Sequence, residues 1–395
     1  MKKQILTAAG VCLFMAQSAL AAPVLSDFVV FGKTSVTIGS GTGSPVSAAV
    51  GSGGSVTIQQ NGTLGDGDDA IVITGGGAYT GGQNSVYVGD IIFGGSVSLA
   101  QNSKVTGSVH TGGAVTMGNG AQVSGDVVAG GSVSLGNNNA VGGSVQSGGR
   151  VVTGSNASVA GTVSATGTVA LGSNPNVGGV VQGAPAPTPL APPVIDLPDA
   201  NVFSAGGANQ SVAASNTLGL LADVYGALNV GNNGKVQLSS GEYFFDSMVF
   251  GNGGILELDL SLGGIVVNIV GDFLAGNNFE IALIGGDASD VLFEVHGDAT
   301  FGQGAEWAGT LFAPDGTITF GNNSVIQGAL YGDIIKIGNN SNLGYAKSSR
   351  MFRTSAEEGD NETGEPGATQ VPVPAPLASL LVGLMALGYV RRRAA

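Results

Sequence analysis

GGSVSLAQNSKVTGSVHT (94–111), GGAVTMGNGAQVSGDVVA (112–129), GGSVSLGNNNAVGGSVQS (130–147), GGRVVTGSNASVAGTVSA (148–165) and TGTVALGSNPNVGGVVQG (166–183) follow one another without a gap. Five blocks of 18 residues therefore stand in register. One apolar column is Val97, Val115, Val133, Val151 and Val169, and Leu99, Met117, Leu135, Thr153 and Leu171 lie two residues on. Val105, Val123, Val141, Val159 and Val177 form a third column, and Val109, Val127, Val145, Val163 and Val181 a fourth. A spacing of two puts side chains on one face of a strand. Stretches recurring every six residues make three short strands per block, so each block predicts one triangular coil. Stacked coils pair backbone to backbone about 4.8 Å apart and bury the columns as a continuous core. Gly and Asn between the stretches supply the positive φ that tight corners need.

The pattern extends outward from these blocks. GGSVTIQQNGTL (53–64) aligns with GGSVSLGNNNAV, a loop from Gly65 to Asp69 interrupts it, and Val36 with Ile38 marks an earlier coil. APAPTPLAPPVIDLP (184–198) lacks ladder donors at its prolines and reads as an extended linker. Beyond it, TITFGNNSVIQGALYG (317–332) matches SVSLGNNNAVGGSVQS through Ile318, Phe320, Ile326 and Leu330. Further coils centre on Leu228/Val230/Val236, Met248/Phe250/Leu256, Phe273/Ala275/Ile281, Ala299/Phe301/Trp307 and Ile335/Ile337/Leu343, with larger inward residues and looser spacing. TLGLLADVYGA (217–227) reads as a short helix. The expected fold is an all-β, three-faced β-solenoid of about 18 residues per coil in two segments, 28–183 and 199–345, divided by the linker 184–198.

Both ends of the chain read as addresses. Residues 1–21 have the form of a secretory signal peptide: Lys2 and Lys3, an apolar stretch, and a small-residue cleavage site at Ala19 and Ala21 for signal peptidase. The only cysteine, Cys12, falls inside that stretch, so the exported chain is not a disulfide scaffold. Residues 346–370 are a polar, acidic linker. VPVPA (Val371, Pro372, Val373, Pro374, Ala375), a short apolar run and Arg391, Arg392 and Arg393 close the sequence. The run is shorter than the ~20 residues of a stable span. The Pro motif, apolar helix and arginine cluster of 371–395 resemble the PEP-CTERM sorting signal in its VPxPA form. That resemblance implies recognition by an exosortase-type enzyme in a Gram-negative producer of exopolysaccharide, with transient anchoring in the inner membrane and then the outer surface or extracellular matrix.

Two further resemblances concern the body of the chain. The regular coils resemble the bactofilin family, short-coil β-helices that polymerise end to end, although an exported chain is not placed for a cytoskeletal role. LSSGEYFF (238–245) and VLFEVHGDATFGQGAEWAGTLFAPDGTITFGNNSVIQGALYG (291–332) are similar to the ice-binding-like domain of surface proteins. This implies a right-handed β-helix of irregular coils flanked by a helix.

Composition narrows the function. Seventy glycines without a strict three-residue period exclude collagen, and charged residues are only 10% of the chain. The net charge of −14 repels nucleic acid and anionic lipid. Candidate metal ligands are few. Asp66, Asp68 and Asp69 form an acidic loop able to offer oxygen ligands to Ca²⁺, without the EF-hand spacing. Glu294, His296 and Asp298 alternate with inward residues, which places acid, imidazole and acid on one strand face, about 6–7 Å between successive members. For both, a solvated acidic surface is the competing reading, and no other cofactor is indicated. Trp307 sits in an inward column and belongs to the core. The outward column Ser98, Thr116, Ser134, Val152 and Ala170 holds no Thr ladder of the kind that ice binding uses, and Thr300 and Thr319 are flanked by Leu274 and Lys336. No nucleophile–base pair or phosphate loop is visible. The sequence therefore predicts a non-enzymatic structural or adhesive protein of the surface or biofilm matrix, with self-assembly and exopolysaccharide as partners. A polysaccharide- or ice-binding module is the alternative, and a carbohydrate-active enzyme the third class.

Overall fold

The computed structural model describes residues 24–44, 49–65 and 73–346. The signal peptide, the Asp66/Asp68/Asp69 loop, the acidic linker and the sorting signal lie outside the described residues. Within them the chain is an all-β parallel solenoid of about 16 turns, about 19 residues each. Its helical content among the described residues is two single 3₁₀ turns, Leu25–Asp27 and Ala288–Asp290.

Each turn lays one strand on each of three faces. On the first face Val97, Val115, Val133, Val151 and Val169 stack in register. On the second, Val105, Val123, Val141, Val159 and Val177 do the same. On the third, Val109, Val127, Val145 and Val163 stack, but a register shift after Val159 places Val180, not Val181, over Val163. The expected fourth column is corrected by one residue in its last coil, where Val181 stands over the outward Ser164 instead.

Corners repeat as strictly as strands. Among the described residues, ten of the eleven non-glycine residues at positive φ are asparagines, including Asn102, Asn138, Asn156 and Asn174, and the eleventh is Ser215. Asn tolerates the left-handed region better than other side chains do. The Asn102 amide donates to Asn84 (3.1 Å) and the Asn156 amide to Asn138 (3.3 Å), so the corner forms its own ladder. A second corner is glycine for a different reason. A Cβ on Gly112, Gly130 or Gly148 would lie 2.2–2.5 Å from the carbonyl oxygen of the coil below.

The order of the coils does not follow the sequence. Strand Phe28–Ile38 pairs on one edge with Ala49–Ser52 and Ser55–Ile58, and on the other with Val325–Ile337. Val36 stands beside both Val56 and Ile335, and Ile38 beside both Ile58 and Ile337. Gly43 likewise pairs with Asn342 and with Thr63. The irregular coils thus run from Gln210 to Gly344, and the regular coils continue the same stack from Phe28 to Gln182. The segment at 184–198, expected as a divider, separates the two sets in sequence but not in the stack. The reason is backbone supply: each set leaves one strand edge open, and pairing the two edges satisfies both.

The connecting segment returns along the outside. Ala184 donates its N–H to Ala165 at one end (2.9 Å), and Gly226 donates to Ala208 at the other (3.1 Å). Between them Ile195 and Leu197 pack on an outward apolar cluster of the third face that includes Phe28, Phe31, Phe312 and Tyr331. The helix expected over 217–227 is absent. Thr217–Leu220 is a strand whose Leu218 pairs with Val236 and Leu220 with Leu238, because two-residue spacing meets an open edge there.

The core widens in the irregular coils. Trp307 is buried, packs on Phe293 (4.8 Å between centroids) and Phe301 (4.9 Å), and donates its indole N–H to the Gly309 carbonyl (2.9 Å). Val36→Asp would place an unpaired carboxylate at the joint, which costs about 3–5 kcal/mol. Limited proteolysis of that variant is expected to open sites on both sides of the joint, in 325–345 and in 49–65, together.

Candidate functional site

The non-sequential stacking assembles an outward column that no contiguous stretch contains. On the first face the residue between the two inward positions runs Thr300, Thr319, Lys336, Thr37, Thr57, Thr80, Ser98, Thr116 and Ser134. Eight of nine successive rungs carry a hydroxyl. At about 4.8 Å per rung the column is roughly 40 Å long. It is bounded by Leu274 below and by Val152 and Ala170 above. Inward neighbours on both sides, such as Val36/Ile38, Val56/Ile58 and Val97/Leu99, are buried beneath it.

The expectation of no Thr ladder is therefore corrected. Thr37, Thr57 and Thr80 were unlinked to Thr300 and Thr319 in the sequence, because residues 38 and 337 become neighbours only through the joint. The one signal available was the outward Thr in each of TSVTIG, GGSVTIQ and GTITFG, which share a place in the coil.

The acid–imidazole–acid trio is dispersed to three separate tasks. Glu294 is buried under the returning segment, where its Oε1 accepts from the Asn201 backbone N–H (2.5 Å) and its Oε2 from the Asn201 amide (2.6 Å). His296 lies 3.4 Å from Glu294 and packs on Phe203 with the rings tilted by 36° and their centroids 4.0 Å apart. Asp298 turns to a corner, where its Oδ1 accepts from the Thr317 N–H (2.8 Å). Among the described residues no group of three or more His, Cys, Asp or Glu gathers as a metal site. The three residues expected to share one face do not converge: both Glu294 oxygens accept from Asn201, and Asp298 accepts from the Thr317 N–H.

Other acids are similarly committed. Asp90 and Asp126 cap the next coil's corner, accepting from the N–H groups of Ser108 (2.7 Å) and Ser144 (2.6 Å). Glu257 binds Lys235 (2.5 Å) and accepts from Gln237 (2.6 Å), and these hydrogen bonds hold its carboxyl below the usual range. Half-buried His110 is shifted down by burial, with Asp90 and Asp126 opposing.

Residues 89–343 match the family described as "Putative Ice-binding-like adhesive domain". The chain belongs to that family. Among solved structures it is similar to "ice binding protein from an Antarctic bacterium Flavobacteriaceae", at 15% identity over 84% of this chain and 100% of that one, with a TM-score of 0.26. A second likeness is to "a possible adhesin C-terminal domain from Caldicellulosiruptor kronotskyensis", at 12% identity over 84% of this chain and 95% of that one, with a TM-score of 0.23. No curated protein matches.

Asn201→Ala would leave the Glu294 carboxylate buried with fewer donors, at a cost of about 1–3 kcal/mol. Protease cleavage within 186–205 is expected to accelerate in that variant while the coil core stays resistant.

Proposed function

We propose that the chain is an exported, non-enzymatic adhesive rod that binds polysaccharide along its first face. The hydroxyl column carries this reading. A straight row of donors and acceptors about 4.8 Å apart suits a ligand with a short repeat, and a sugar chain lying along the rod is such a ligand. Hydroxyls bind neutral sugars without the desolvation cost of charges. Lys336, the third of the nine rungs, adds a cation for an acidic sugar on an otherwise acidic protein. Family membership supports adhesion. The described residues include no helix long and apolar enough to cross a membrane.

Delivery completes the proposal. Signal peptidase removes residues 1–21, and an exosortase-type enzyme acts at 371–395, leaving the rod on the outer surface or in the biofilm matrix. Both steps rest on sequence pattern. Replacing Pro372 and Pro374 by alanine is expected to trap the protein in the membrane fraction of a host with the sorting enzyme. Unchanged release from that variant would overturn this part.

A second reading is favoured by the same column. Threonine rows on flat solenoid faces also suit ordered water, and binding to ice is the alternative, with Lys336 as the break in the match. Co-sedimentation with the producer's exopolysaccharide and partition into slowly grown ice separate the two. Thr57→Val with Thr116→Val, which removes two hydroxyls at nearly constant shape, is expected to weaken polysaccharide binding at least tenfold without lowering thermal stability. Undiminished binding would place the site elsewhere.

A further inference from the structure

We infer that a slot beneath the returning segment takes one neutral sugar residue, the end of a short branch on the polysaccharide proposed above; the branch assignment rests on that reading. Three stacked coils turn from the third face to the first at 33–34, 53–54 and 76–78. Residues 192–197 pass outside that corner and leave a cavity of about 330 Å³. Ligand cavities begin at about 300 Å³, so the space suits a small ring and not a long chain. Gly53 and Gly76 keep the corner wall free of side chains, and a Cβ on Gly76 would lie 2.4 Å from the Gly53 carbonyl oxygen.

The polar groups of the slot are uncommitted. Thr74 lies in the outward column of the third face, between Gly51 and Ile92 of the neighbouring coils, and lines the slot. It is only 1% exposed, and its hydroxyl has no hydrogen-bond partner. Native structures partner nearly every such group, so an unpartnered hydroxyl here points to a bound molecule. Lys33 is exposed, lines the same slot and forms no ion pair among the described residues. Asp196 lines it from the returning segment, and Phe31, Pro193 and Ile195 supply apolar wall. One cation and one carboxylate leave the slot without net charge, which disfavours an ionic ligand. A ring whose hydroxyls both donate and accept, and whose C–H faces are apolar, matches this lining.

The slot adjoins the hydroxyl column. Lys33, Gly53 and Gly76 are followed four residues on by Thr37, Thr57 and Thr80, which are three consecutive rungs. Four residues span at most about 13 Å, so a sugar chain on the column can send a short branch round the corner. The outer wall of the slot is anchored, since Ile195 and Leu197 pack on the apolar cluster of the third face. The column would then read the main chain and the slot its branch.

Saturation-transfer NMR on the full-length chain reads the slot alone, with methyl glycosides of glucose, galactose and mannose as probes and glucuronic acid as the charged comparison. A neutral glycoside is expected to bind, and glucuronic acid to bind more weakly. Thr74→Val should weaken glycoside binding at least tenfold. Its thermal stability should be unchanged or raised, because the hydroxyl removed had no partner. Thr57→Val with Thr116→Val should leave glycoside binding intact while co-sedimentation with exopolysaccharide falls, so slot and column are read separately. Glycoside binding by a chain that never co-sediments would keep the slot and overturn its assignment to a branch. Binding of no glycoside, with water alone on Thr74, would overturn the inference and leave the column reading to its own test. So would binding that survives Thr74→Val, or that selects glucuronic acid.

Discussion

Every part of this molecule depends on one repeated interaction, the backbone hydrogen bond from each coil to the next. It matters most at strand Phe28–Ile38, which is bonded along both edges. Remove that strand and the irregular coils end at Gly344 with an open edge, while the regular coils begin with another. A buried, unpaired backbone is too costly to leave, so the amino-terminal strand closes the gap. The returning segment is then required to be long and extended, because it must travel from Gln182 back to Gln210 at the far end. Its prolines suit that path, since it lies outside the ladder and owes it no donors.

The hydroxyl column follows from the same constraint. Thr300 and Thr319 come from late coils, Thr37, Thr57 and Thr80 from early ones, and the joint places them on consecutive rungs around Lys336. The two coil sets differ in what they bury. Around Trp307 and Phe273 the core is wide and aromatic, whereas Val97, Val115 and Val133 fill a narrow triangle. The outward face nevertheless keeps one spacing throughout, because the spacing is set by the backbone and not by the core.

Much of the fold was legible because period and register are local. The columns at Val97, Leu99 and Val105 recur every 18 residues, and each such residue before the last coil ends up buried in register with its successor. The inward columns of the later coils, including Trp307, were readable for the same reason. What stayed hidden was long-range. Nothing near Ile38 announces that it will lie beside Ile337, so neither the single stack nor its Thr/Ser column could be seen. Glu294 alternated as a solvent-facing acid should, and only the passage of Asn201 overhead turned it into a buried anchor. The apolar residues of 217–227 suited a helix by composition, but the open edges of Val236 and Leu238 imposed a strand.

The single stack and its hydroxyl column both depend on the joint. A pair of cysteines at Thr37 and Lys336, with Cys12 replaced by serine, tests it directly, because these residues face each other on paired strands. Mild oxidation is expected to link them within one chain, near quantitatively and without loss of β-structure, as mass spectrometry and circular dichroism would read. If the two cysteines stay reduced in folded protein, or link only between chains, the coils do not stack in this order and the hydroxyl column does not exist.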